Sequence, residues 1–256
     1  MKSAEMKTVA AYASISDPGK SSLNEDAYIV VPKRQLFGVA DGFGGNGIGD
    51  KTSKQVLEHV SFFVENGLGD SEVTLPFVYR SYYTSGANLI FNAFLYANRQ
   101  IFEENKGRHI NARGGTSAMF VFFEGRHMTL ANVGSCSAFL VRGETVQELV
   151  KPRSYNTYRS TGTWKPHWSF PLMALGTASD LEPEILELHV EKGDVIVLAT
   201  DGVYPHLKKE DLAALGKIVG IEGTEEAIYK ENHRLIDICR SAGDSDNKSM
   251  ISIVCA

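Results

Sequence analysis

Short apolar runs recur along the chain, and Gly, Asn or Asp residues separate most of them. Runs of this length between turn-forming residues are typical of β-strands. Residues 122–127 and 141–146 have the composition of hairpin turns, which join antiparallel strands. The predicted strands cover residues 8–15, 27–31, 35–40, 116–123, 127–133, 137–142, 184–190, 195–200 and 250–255.

Other segments carry apolar residues three and four positions apart, which predicts amphipathic helices. The first covers residues 50–66, and a longer one covers 75–105, where Gly86 could interrupt it. Two more, 211–215 and 225–240, form a later pair. Strands, a helical pair, further strands, helices and a last strand predict an α+β fold whose helices cover antiparallel sheets.

Residues 151–177 fit neither period and contain three prolines. We predict an ordered loop there, and long ordered loops in compact domains are often functional. The segment is rich in aromatic residues and includes Tyr155 and Tyr158. Trp164, His167 and Trp168 either form a recognition surface or pack beneath the loop, and we favour packing. The 256 residues show no repeat or linker, so a single domain over 1–256 is predicted.

The composition limits the function classes. With 43% hydrophobic and 22% charged residues, the chain matches an ordinary globular protein. It lacks both the roughly 20 continuous apolar residues that insert into a membrane and an apolar signal-peptide core. Three scattered cysteines exclude a disulfide framework or a zinc motif, which favours a cytoplasmic location. A net charge of -5 without a Lys/Arg run argues against nucleic acid as a partner.

Carboxylates stand at the boundaries of four strand-like runs. Asp41 and Asp201 each end an apolar run and precede a glycine, while acidic residues at 25–26 and 244–246 precede other runs. A single Asp-Gly pair would indicate only a turn. Four acidic clusters in equivalent positions indicate one metal site gathered from the whole chain. Oxygen ligands favour Mg²⁺ or Mn²⁺ over zinc.

Six motifs also occur in the order and approximate spacing of the metal-dependent type 2C (PPM-type) protein serine/threonine phosphatases, which this chain resembles over nearly its whole length. They are Asn24-Glu25-Asp26-Ala27, Val39-Ala40-Asp41-Gly42-Phe43-Gly44-Gly45, Gly114-Gly115-Thr116-Ser117-Ala118, Ala131-Asn132-Val133-Gly134, Leu198-Ala199-Thr200-Asp201-Gly202-Val203 and Asp246-Asn247-Lys248. The resemblance implies a sandwich of two antiparallel β-sheets flanked by pairs of helices. It also implies hydrolysis of phosphoserine and phosphothreonine in proteins, with an opposing serine/threonine kinase as a candidate partner.

By the same resemblance, the reaction uses a water shared by two Mn²⁺ or Mg²⁺ ions. Such a water loses its proton near neutral pH and becomes a nucleophile toward phosphorus. Asp41 would bridge the two ions. Asp201 and Asp246 would complete the coordination of one ion, and the Gly42 carbonyl would help to hold the other. These three aspartates are the predicted catalytic carboxylates.

Three further residues take roles from the resemblance. Glu25 and Asp26 would bind metal directly or through its waters. Asn247 would orient a metal-bound water and is the fourth predicted catalytic residue.

The chain departs from the family around this core. The arginine that grips the substrate phosphate is replaced by Ser21, and the adjacent Lys20 could act only as a point charge without the bidentate fork of arginine. We therefore expect weaker phosphate binding at Lys20 and Ser21. Ser135 stands where the family has the aspartate of a third, weaker ion, so that third ion is doubtful.

Two other functions remain open at this point. The changes at Ser21 and Ser135 would suit a catalytically weak regulatory module that binds a phosphoprotein. The atypical segment 151–177, which lacks the family's usual flap signature, would suit the same hydrolysis on a non-protein phosphoester. A nucleotide-binding loop at 16–22 is disfavoured, because its first glycine is replaced by Ser14 and a strand follows.

Overall fold

The computed structural model describes residues 8–67, 78–158, 166–221 and 223–256. Its helices are α1 (Ile48–Gly67), α2 (Ser85–Lys106), α3 (Lys209–Ile221) and α4 (Glu225–Ser241). Its strands are β1 (Val9–Asp17), β2 (Asp26–Val31), β3 (Leu36–Gly44), β4 (Gly114–Glu124), β5 (His127–Val133), β6 (Ser137–Arg142), β7 (Thr145–Val150), β8 (Ser154–Tyr158), β9 (Pro166–Pro171), β10 (Glu184–His189), β11 (Val195–Ala199) and β12 (Lys248–Cys255).

Two five-stranded antiparallel sheets face each other. One has the order β1-β12-β11-β6-β7 and the other β10-β5-β4-β3-β2. Alternate side chains of a strand point to opposite faces, and β3 shows the result. Phe37 and Val39 pack between the two sheets, while Leu36 and Ala40 pack toward α1 and α2. The predicted α+β sandwich of antiparallel sheets is confirmed.

A helical pair covers the outer face of each sheet. Phe94 of α2 packs edge-on against Phe120 of β4, with ring centroids 5.7 Å apart. On the other sheet, Leu215 of α3 and Leu235 of α4 are fully buried in one apolar cluster. Full burial of each such side chain stabilises the fold by roughly 1.5–3 kcal/mol. No helix in the described ranges is long and apolar enough to cross a membrane.

Helix α2 begins later than the sequence pattern predicts. Residues 75–77 of the predicted helix lie outside the described residues, and 78–84 are not helical. Thr84 caps the helix, because its Oγ1 accepts a hydrogen bond from the Ala87 amide at 3.1 Å. Gly86 does not interrupt the helix. It lies in the first turn, where a Cβ would meet a carboxylate oxygen of Glu124 at 1.9 Å.

The prediction of a loop over 151–177 is wrong for part of its length. Strands β8 and β9 form a separate two-stranded antiparallel sheet. Pro166 and Pro171 stand at the two ends of β9, where a missing amide donor costs little, so the prolines that argued against a strand are compatible with one. Trp164 and the side chains of His167 and Trp168 lie outside the described residues, and their packing stays a prediction.

Candidate metal centre

The fold brings the acidic clusters to one edge of the sandwich. In the β2–β3 pair, Asp26 lies directly opposite Asp41. In the other sheet, β11 and β12 are antiparallel neighbours, so the end of β11 that leads to Asp201 lies beside the start of β12, which follows Asp246. Clusters far apart in sequence therefore meet because two antiparallel pairs end at the same edge.

Hydrogen bonds join the two sheets at this edge. The Oγ1 of Thr200 donates to Oδ2 of Asp26 at 2.8 Å. The backbone amide of Glu25 donates to Oδ1 of Asn247, also at 2.8 Å. The same Thr200 oxygen accepts from the Ser249 amide at 2.9 Å, so its position is determined by the backbone of β12.

Asp26 is almost completely buried, at 5% exposure. Burial raises its pKa to about 8, although the Thr200 hydrogen bond opposes the shift, and the nearby charges of Asp201 and Asp246 raise it further. Such a carboxylate is costly to ionise without a cation beside it.

The hydrogen bond from Thr200 provides a test of how this edge is held. We expect Thr200→Val to lower the free energy of unfolding by about 1–3 kcal/mol, because Asp26 and the Ser249 amide both lose a buried partner. Urea unfolding of the metal-free protein measures the change. Thr145→Val, at an exposed position of β7, is the control and should change stability by less than about 0.5 kcal/mol. If both variants lose the same free energy of unfolding, the stabilising role of the Thr200 hydrogen bonds is contradicted.

Asp41 lies in the middle of the cluster. Burial raises its pKa well above the usual range, and the charges of Asp26 and Asp246 add to the shift. Ser135 is hydrogen-bonded to this carboxylate, with 3.4 Å between its Oγ and Oδ2 of Asp41. Ser135 is held in turn by Ser117, at 3.0 Å between the two hydroxyl oxygens. The serine at the expected third-ion position thus contacts Asp41 directly and adds no charge of its own.

Asp201 and Asp246 complete the group. The pKa of each is raised, first by burial and then by neighbouring carboxylates, with Asp41 the main neighbour for Asp201. Asp246 also accepts a hydrogen bond from the backbone amide of Asn247 at 2.9 Å. That hydrogen bond favours the ionised form and partly offsets the upward shift in the pKa of Asp246.

Two residues to which the sequence pattern gives no role support the loop that carries Asp246. Lys248 is fully buried, and its Nζ donates to the Asp246 carbonyl at 2.6 Å. His206 contacts the Asp244 carboxylate at 2.8 Å, and Asp244 accepts a hydrogen bond from the Asp246 amide at 2.8 Å. Lys248 could have been noticed as a charged residue at the start of an apolar strand, whereas nothing in the sequence marks His206.

Glu25 and Gly42 lie where β2, β3 and α1 meet. The Glu25 carbonyl accepts from the Gly42 amide at 3.1 Å, and its Oε1 accepts from the Gly49 amide in the first turn of α1 at 3.2 Å. A Cβ on Gly42 would lie 2.1 Å from the Gly49 carbonyl oxygen. Only glycine allows this close approach of the helix to the strand.

The Asn247 amide group connects separate backbone segments. Besides accepting from Glu25, its Nδ2 donates to the carbonyls of Pro18 at 2.8 Å and Leu23 at 3.2 Å. These contacts hold the segment between β1 and β2 against the start of β12. The predicted orientation of a metal-bound water by Asn247 stays a prediction.

Lys20 and Ser21 lie on the exposed turn that this segment forms. The Lys20 amide donates to the Ser245 carbonyl at 3.2 Å, so the turn rests on the loop that carries Asp246. Gly19 has a φ of +61°, and a Cβ there would meet the Asp246 carbonyl oxygen at 2.2 Å. The structure therefore places both residues beside the acidic cluster, and their contact with a substrate phosphate stays a prediction.

Within the described ranges, the charges of the predicted metal-binding carboxylates are not balanced by paired basic side chains, which favours the binding of a cation. In the described part of the chain, no ion pair involves the predicted metal-binding carboxylates. They are the side chains of Glu25, Asp26, Asp41, Asp201 and Asp246. Desolvation and neighbouring carboxylates raise the pKa of each. A divalent cation bound among them would offset this repulsion and favour the ionised forms. Among the described residues, however, no three Asp, Glu, His or Cys side chains converge as a ready ligand set.

Comparison with known proteins gives consistent matches. A family model described as protein phosphatase 2C matches residues 18–232. The serine/threonine protein phosphatase PstP of Mycobacterium tuberculosis is 23% identical over 97% of this chain, which spans only 45% of that relative's length. A putative protein phosphatase 2C-type of Streptococcus pyogenes is 22% identical over 82% of this chain and 81% of its own length.

Solved structures share the fold. PppA, described as a key regulatory component of T6SS in Pseudomonas aeruginosa, superposes with a TM-score of 0.75 at 21% identity, covering 97% of this chain and all of that one. The catalytic domain of PstP in complex with two manganese ions has a TM-score of 0.73 at 19% identity, with 96% and 97% coverage. At these identities, the structural likeness establishes the fold alone.

Proposed function

The chain belongs to the protein phosphatase 2C family, and we propose that it is a metal-dependent phosphatase that hydrolyses phosphoserine and phosphothreonine in proteins. The observation that carries the proposal is the meeting of Asp26, Asp41, Asp201 and Asp246 at one edge of the sandwich. Their pKa values are all raised, and none of them has a basic partner among the described ion pairs. The nearby serine and threonine hydroxyls do not neutralise them.

We propose that these carboxylates hold two Mn²⁺ or Mg²⁺ ions, with Asp41 between the ions and Asp201 and Asp246 on one of them. When bound, the ions would supply Lewis acidity toward the phosphoryl group and activate a water as the nucleophile. Glu25, Asp26 and the Gly42 carbonyl would complete the coordination of the ions. Ser135 offers a neutral hydroxyl to Asp41 instead of a further carboxylate, so the proposal includes no third ion.

The chain's own residues orient this group before any substrate arrives. Thr200 fixes one carboxylate oxygen of Asp26, and Asn247 fixes the segment that leads into it. Lys248 holds the backbone of the loop that carries Asp246. Positioning of this kind lowers the cost of assembling the reacting groups.

Hydrolysis assays test the proposal. The purified protein should hydrolyse an aryl phosphate and a phosphoserine peptide with Mn²⁺, and EDTA should abolish both activities until excess Mn²⁺ is restored. Activity on the aryl phosphate with none on phosphoserine or phosphothreonine peptides would instead support a non-protein phosphoester substrate. Phosphopeptide binding without turnover would support the regulatory module. Either result would contradict the proposed function.

A further inference from the structure

A phosphate monoester that approaches this edge meets a concentration of negative charge. A cationic side chain near the carboxylates would stabilise the phosphoryl oxygens through charge-assisted hydrogen bonds. Two nearby cations are already engaged. Lys248 is fully buried beneath the Asp246 loop, where its Nζ donates to backbone carbonyls, and Arg240 is paired with Asp17 and Asp237.

A cavity of about 480 Å³ is lined by Asp26, the one predicted metal-binding carboxylate among its described lining residues, and by a further cation, Lys54. Its polar lining includes Asp26 together with Ser22, Asn24 and, from α1, Asp50 and Lys54. This volume is large enough to admit a phosphorylated side chain. Lys20, the basic residue that the sequence suggests for phosphate binding, does not line this cavity.

The ammonium group of Lys54 is available for such a contact. It pairs with Asp50 one helical turn earlier, and the two side chains are 59% and 30% exposed. An exposed pair of this spacing contributes little to stability, so Lys54 can turn from Asp50 toward a ligand at small cost. The first turn of α1 already contacts the centre, because the Gly49 amide donates to Glu25. Lys54 follows on the same helix.

We propose that Lys54 binds the phosphoryl group of the substrate and takes the place of the family arginine that Ser21 replaces. The proposal rests on the proposed function and assigns its phosphate-binding residue. A lysine in this position would bind the phosphate as a mobile point charge from α1, and the cavity would accept the rest of the phosphorylated residue.

Lys54→Met tests the assignment, because methionine keeps the length and helix propensity of the side chain and removes its charge. With Mn²⁺ present, KM for an aryl phosphate should rise by about tenfold while kcat changes less. The inhibition constant of inorganic phosphate should rise by a similar factor. Lys54→Arg should retain most of the wild-type affinity. Lys51→Met, at an exposed position of the same helix outside the cavity lining, is the matched control and should leave both constants unchanged.

Unchanged KM and phosphate inhibition in Lys54→Met would overturn the proposal. A rise in both constants in Lys20→Met but not in Lys54→Met would overturn it as well and assign the contact to Lys20. Calorimetric titration of inorganic phosphate into the Mn²⁺-loaded wild type and Lys54→Met separates this proposal from the proposed function. If the wild type binds phosphate more tightly than the variant but hydrolyses no phosphoester, the Lys54 assignment stands and the catalytic proposal fails.

Discussion

Asp41→Asn is expected to lower kcat for an aryl phosphate by at least about 10³-fold. Asp41 lies in β3, opposite Asp26 of β2 and within the electrostatic field of Asp246. A neutral amide keeps the shape of the side chain but removes the charge that we propose both ions share. The loss should appear in steady-state assays with saturating Mn²⁺ and as weaker Mn²⁺ binding by calorimetry.

Without metal, Asp41→Asn should make the folded protein more stable, although it impairs turnover when metal is present. The pKa of Asp41 is raised by burial and by neighbouring carboxylates, so its ionisation costs stability near neutral pH. Asp41→Asn should therefore unfold at a higher urea concentration than the wild type when both are in EDTA at pH 8. Asp180→Asn, at an exposed position, is the control. Its kcat with Mn²⁺ and its urea unfolding in EDTA should both stay near the wild-type values. Wild-type turnover in Asp41→Asn would refute the role assigned to Asp41.

The metal-free protein is expected to lose stability as the pH rises from about 4 to about 8. Asp26 has a pKa of about 8 in the folded protein against an ordinary value of 3.8, because it is buried beside other carboxylates. Between these values the folded state binds more protons than the unfolded state, so the free energy of unfolding falls with increasing pH. Asp41, Asp201 and Asp246 shift in the same direction. We expect a total loss on the order of a few kcal/mol.

Metal should reverse this dependence, because divalent ions bind the ionised carboxylates of the folded state. Urea unfolding at pH 5 and pH 8, each with EDTA and with excess Mg²⁺, measures both effects. Mg²⁺ should stabilise the protein more at pH 8 than at pH 5. Asp26→Asn should flatten the pH dependence in EDTA. If the metal-free wild type is instead more stable at pH 8 than at pH 5, the carboxylates are not held as the structure shows.

Local sequence patterns were sufficient for most elements, and the reason is visible in particular residues. The apolar run at 35–40 predicted β3, and the hairpin at 122–127 joins β4 to β5 as expected. The late start of α2 escaped prediction because the pattern of apolar residues continues past a boundary that the Thr84 cap decides. The β8–β9 hairpin escaped because prolines were weighed without knowledge of which amides pair.

The acidic residues themselves could be recognised from the sequence, because each stands at the end of an apolar run and their order matches a known family. Their surroundings could not. Thr200 and His206 contact side chains that are distant in sequence. Lys248 acts through a backbone carbonyl. Lys54 reaches the Asp26 cavity only because α1 begins beside Glu25. Apolar runs and turn residues are local properties of the chain, so the sequence by itself determined most of the strands and helices and which carboxylates are candidate metal ligands. Only the tertiary structure decided which hydroxyls, carbonyls and cations surround them, because antiparallel pairing and helix packing set those distances.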